Sequence, residues 1–107
     1  MSMFHQREDV FEKSFAHVGE LRFRAKARRN KLLGLWAAEK LGASGVAAKS
    51  YVDGLVAAAI AKNSDDVVAA RILDDFIAVG VQQSDHQIRS RMAEFLVQAI
   101  AEMRAGT

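Results

Sequence analysis

The sequence predicts an all-α fold, a four-helix bundle whose first helix is much longer than the other three. Three observations carry this expectation. The 107 residues contain no proline and are half apolar, with alanine abundant, a composition that favours helices over strands. Apolar residues recur at helical spacings instead of alternating. Three breaks built around glycine, serine and asparagine divide the chain into four segments, whereas only Gly19 and Gly34 interrupt the stretch from Arg7 to Leu41. One domain, 1–107, is the expectation at this length.

The first segment would span roughly 50 Å as a helix, against roughly 25–30 Å for each of the others. A bundle cannot cover the surplus, so the packed part is expected to be its apolar C-terminal half: Leu32, Leu33, Leu35, Trp36 and Leu41. Gly42 then suits a left-handed C-terminal cap, and Ser44 a cap for the second helix. That helix carries apolar pairs at Tyr51/Val52, Leu55/Val56 and Ala59/Ile60. Asn63-Ser64-Asp65-Asp66 is the next break, with Ser64 as N-cap and two carboxylates at the positive end of the helix dipole. The third helix presents Val68, Ile72, Phe76 and Val79 on one stripe and ends at Gly80. Ser84 and Gln87 form a capping-box pattern. The fourth helix traces one face through Ile88, Met92, Phe95, Leu96, Ala99, Ile100 and Met103. The expected core is Leu32, Leu33, Trp36, Tyr51, Leu55, Ile72, Phe76, Ile88, Met92 and Phe95. A polar partner is expected for the Trp36 indole N–H, and Gly34 and Gly54 read as points of close helix approach.

The overhanging end is not polar. Phe4, Phe11, Phe15 and Val18 are spaced by seven, four and three, one stripe if helical. Such a stripe without a partner in its own chain is costly in water and points to a partner elsewhere. The reading is a mobile arm, residues 1–18, carried by a bundle, 19–107, and folding on docking in the helix-in-groove manner. The alternative is an arm folded back on the bundle, its phenylalanines ordinary core.

The formal charge of +2 hides an asymmetry. Residues 1–31 hold eight basic and four acidic side chains, residues 32–107 seven and nine. Arg22, Arg24, Lys26, Arg28, Arg29 and Lys31 make a run of six cations with no anion among them. Like charges at i, i+4 cost about 0.2–0.5 kcal/mol each, so a helix that tolerates them suits an acidic partner rather than a merely solvated face. Phe23 alone interleaves the run and the body is acidic. Both facts disfavour nucleic acid as the partner, and a nucleic-acid-binding bundle using 22–31 stands as the alternative to an acidic protein surface.

No enzyme is expected, and no cofactor. The chain has no cysteine, which excludes disulfides, thiolate metal sites and a cysteine nucleophile. It has no Gly-rich phosphate loop and no serine elbow. His5, His17 and His86 lack paired ligand spacing, so no metal is expected. His17 faces Glu20 at i, i+3, and a solvated histidine is the plainer reading than a pH sensor. Asp65-Asp66 and Asp74-Asp75 are neighbours that point apart on a helix, better suited to capping and solvation than to catalysis. No stretch approaches the ~20 apolar residues of a membrane span, and the early charges of the N-terminus do not read as a secretory signal.

The motif Phe4-x-x-Arg7-Glu8-x-x-Phe11-Glu12-x-x-Phe15-Ala16-His17 is followed by Glu20-Leu21-Arg22-Phe23-Arg24, then by Ala27-Arg28-Arg29-Asn30-Lys31-Leu32-Leu33-Gly34-Leu35-Trp36-Ala37-Ala38-Glu39 and Leu41-Gly42. Together these closely resemble the zeta subunit of alphaproteobacterial F-type ATP synthases, densely over 4–42 and more loosely over 43–107. Val18-Gly19 and the unacidic end of helix 2 depart from that pattern. The resemblance implies a four-helix inhibitor of ATP hydrolysis by the F1 sector, with the alpha, beta and gamma subunits as partners. Its N-terminal segment would insert at an alpha/beta catalytic interface and stop the central stalk. Phe4, Phe11 and Phe15 would be apolar anchors, while Arg7, Glu8 and Glu12 would set register by charge pairing. The run from Arg22 to Lys31 would meet acidic subunit surface further out. The implied location is cytoplasmic, peripheral to the inner membrane through the synthase.

Overall fold

The structure, a computed structural model, describes residues 18–106. Four helices make up the fold: α1 (Ser2–Lys40), α2 (Gly45–Lys62), α3 (Asp65–Val79) and α4 (Asp85–Arg104). No strand occurs among the described residues. The arm, with Phe4, Arg7, Glu8, Phe11, Glu12 and Phe15, lies outside them, and α1 is described from Val18 onward.

The helix ends are set by local chemistry. At Gly42 and again at Gly80 the backbone turns left-handed, with φ of 78° and 77°. Each closes its helix with paired bonds: Ala43 N–H to Ala38 O and Gly42 N–H to Glu39 O, then Val81 N–H to Phe76 O and Gly80 N–H to Ile77 O. This Schellman pattern satisfies carbonyls that would otherwise be orphaned, and glycine adopts it without a Cβ penalty. The capping box at Ser84 is complete: its side chain accepts from Gln87 N–H while the Gln87 side chain accepts from Ser84 N–H. The Ser64 side chain accepts from Val67 N–H. Ser44 precedes α2 in extended conformation, but its side chain makes no capping bond, contrary to expectation.

α1 packs against α2 and α4, and α3 closes the opposite side against the same two helices. Direction is read from residue pairs. Arg28 meets Glu102 and Trp36 meets Arg91, so α4 runs antiparallel to α1. Tyr51 meets Asp75 and Gly54 meets Arg71, so α3 runs antiparallel to α2. The core holds Leu33, Ala37, Leu55, Val68, Ala69, Ile72, Phe76, Ile88 and Met92, with Trp36, Tyr51 and Phe95 packed against it. Trp36 meets Phe76 edge to face, ring centroids 5.5 Å apart, bridging α1 and α3. Gly34 lets α1 approach α2 closely, since an added Cβ would stand 3.2 Å from Val52 Cγ2 and 3.3 Å from its Cα.

Several expectations fail in an instructive way. Leu35, Ile60 and Val79 are exposed. Leu35 faces away because the buried stripe of α1 runs through Leu33, Gly34, Ala37 and Ala38. Val79 lies beyond the covered part of α3, and the chain reverses at Gly80 so that Val81 packs on the core instead. Leu32 is only half-buried. The Trp36 indole N–H finds no hydrogen-bond partner among the described residues; the polar contact of this half-exposed ring is Arg91, whose guanidinium lies 5.8 Å from its centroid.

Candidate partner-binding site

The basic run of α1 does not form one surface, because a helix distributes consecutive residues around its axis. Arg29 lies four residues before Leu33 and eight before Ala37, on the buried stripe, and is only 3% exposed. It cannot face a partner, which corrects the expectation for this residue. Its Nη2 donates to Asp65 Oδ1 at 2.8 Å, and Nε and Nη2 both donate to Asn30 Oδ1. Burial of a guanidinium is tolerated only with such pairing. Lys26 stands 3.8 Å from the same Asp65. The Arg29 bond above all holds the Asp65 carboxyl below the usual carboxylate range, against the opposing effect of burial. Asp65 therefore does more than complement the helix dipole: it fixes the start of α3 level with residues 26–29 of α1.

Arg28 leaves the helix on another side. Its Nε donates to Glu102 Oε1 at 2.8 Å, tying α1 to the end of α4. Gln98 also donates to Glu102, and these bonds, Arg28 first, hold that carboxyl low. Arg24 pairs with Glu20. Arg22 and Lys31 are exposed and make no ion pair among the described residues. The six cations thus divide into one buried strut, three paired groups and two open charges. That division removes the continuous basic strip on which nucleic-acid binding was the alternative reading.

Beyond the start of α3 only α1 and α4 continue alongside one another, and an open groove lies between them. It is lined by Val18, Leu21, Phe23, Leu32, Leu96, Ile100 and Met103, with Arg22, Arg24, Lys26, Lys31 and Arg104 around it. Val18, Leu21 and Phe23 are 48%, 40% and 62% exposed. Sequence reading placed Leu96, Ile100 and Met103 on one helix face with Ile88 and Met92, of which only Ile88 and Met92 were expected in the core. The structure separates them, because the helices that seal the lower part of that face stop short of its upper part.

The other candidates have structural roles. Tyr51 donates to Asp75 Oδ2 at 2.9 Å, and burial, reinforced by this bond, pushes the phenol above its ordinary range. Arg71 donates to Gly54 O. Asp66 pairs with Arg89, which also holds Asp85. No group of three metal-ligating side chains gathers among the described residues, and no helix there is long and apolar enough to cross a membrane.

A family model described as ATPase inhibitor subunit zeta matches residues 1–102. The chain belongs to that family. Comparison with curated proteins finds no match. Membership makes the chain a regulatory subunit and not an enzyme, supports a role as inhibitor of the ATP synthase, and implies F1-ATPase as its partner. The match runs through the arm, the basic segment and all four helices, so the division into a covered and an uncovered part of α1 lies within one family unit.

Proposed function

We propose that this zeta-family chain inhibits ATP hydrolysis by the F1 sector, with residues 1–18 as the inhibitory arm and 19–107 as the bundle that carries it. The arm enters an alpha/beta catalytic interface and blocks the rotation of gamma. Phe4, Phe11 and Phe15 fill apolar sites along one stripe, and Arg7, Glu8 and Glu12 set the register by charge pairing. Work is done on the cytoplasmic side, peripheral to the inner membrane through the synthase. The observation that supports this reading most is the family match over a span that takes in the arm itself. Val18 supports it too, since it stands next in the helical spacing of Phe4, Phe11 and Phe15 and is exposed.

The test is ATP hydrolysis by the cognate F1, titrated with the intact protein and with a form lacking residues 1–18. Intact protein is expected to suppress hydrolysis and the shortened form to leave it near the uninhibited rate. Equal hydrolysis with and without intact protein refutes the reading.

A further inference from the structure

Accepting that reading, the structure carries a second contact of different chemistry. We propose that the groove between residues 18–32 of α1 and 96–104 of α4 seats an acidic, amphipathic helix presented by F1, separate from the interface that receives the arm. The floor is mainly aliphatic: Leu21, Leu32, Leu96, Ile100 and Met103 line it, with Phe23 the one aromatic among the lining residues, which suits the apolar face of a helix. One phenylalanine among aliphatic side chains offers little for bases to stack on, so a protein segment fits better than nucleic acid.

Charge selects an acidic occupant. Arg22 and Lys31 on α1 and Arg104 on α4 line the groove, are exposed, and have no ion-pair partner among the described residues. The carboxylates nearby are already engaged: Glu20 by Arg24, and Glu102 by Arg28 and Gln98. The groove therefore offers open positive charge over an apolar floor with no competing anion of its own. It also begins where the arm ends, so a protein anchored by its arm brings this groove against the surface of F1 beside the point of entry. Engagement here supplies association rate and affinity, while the arm supplies the block.

The experiment compares the full-length protein with R22E/K31E/R104E and, separately, with Ile100→Asp, reading the Kd for F1, the ionic-strength dependence of binding and the hydrolysis remaining at saturation. Melting curves establish that both variants fold. The charge-reversed variant is expected to bind F1 at least about tenfold more weakly and to lose the salt sensitivity of the native protein. Ile100→Asp is expected to weaken binding at all salt concentrations. Both should still reach full inhibition at saturation, because the arm is intact. Unchanged Kd in both variants while the native protein inhibits overturns the groove and leaves the arm. A native protein that binds through the groove without inhibiting overturns the arm and leaves the groove. Other occupants give their own results, each overturning the proposal: self-association of the free protein that the substitutions abolish, duplex binding that they abolish, or proteolysis of residues 1–17 in the free protein that they accelerate.

Discussion

The lower and upper parts of α1 and α4 share a helical period and a run of apolar residues, yet their surroundings differ. Below the Arg29–Asp65 strut, α2 and α3 complete the wall, and Leu33, Ile72, Phe76 and Ile88 are fully buried. Above it, α1 and α4 continue without them, and Leu21, Phe23 and Ile100 stay in contact with water. The two parts therefore serve different ends. Where four helices overlap, apolar side chains hold the fold. Where two remain, the same kind of side chain is available to a partner. Arg29 marks the border, the last cation committed to the core before α1 runs on without α2 and α3 beside it.

This contrast can be tested from its strongest side. Phe76→Ala empties the centre of the sealed part and removes the edge contact with Trp36. A loss of ~3–5 kcal/mol in urea unfolding is expected. Gly34→Leu drives a side chain into the Val52 backbone, so α1 and α2 must separate, and a lower melting temperature corresponding to ~1–3 kcal/mol is expected.

Arg29→Met tests the border itself. It leaves Asn30 and Asp65 without their guanidinium donor, for an expected cost of ~1–3 kcal/mol near neutral pH. The pH dependence has a definite sign. The folded-state carboxyl of Asp65 titrates below its unfolded value, so its contribution is present above about pH 4 and disappears as the pH falls through the folded value. Unfolding curves of the native protein should weaken across that acid range, and those of Arg29→Met should be flatter there. The smallest change is expected from Ile100→Ala in the open part, less than ~1 kcal/mol. A cost comparable to Phe76→Ala would mean that the groove is core and that the contrast is false.

Much of the fold was legible because its determinants are local. Gly42, Gly80 and the Ser84–Gln87 box each act over three to five residues, and the sequence shows all of those residues together. The open groove was not legible, because it depends on where α2 and α3 end relative to α1, a fact no single helix contains. Arg29 lies between these cases. Its spacing of four from Leu33 is the signal that would have placed it on the buried stripe, but the surrounding cations made the run read as one surface. Val79 misled for the opposite reason: it keeps the period of Val68, Ile72 and Phe76 after the helix has run past its cover.

The arm remains the centre of the account, and its position can be measured directly. A photoactivatable phenylalanine analogue at Phe11, in the full-length protein bound to inhibited F1, should crosslink to residues of an alpha/beta catalytic interface. Crosslinks confined to the outer surface of F1, in a complex that is nevertheless inhibited, would contradict insertion of the arm.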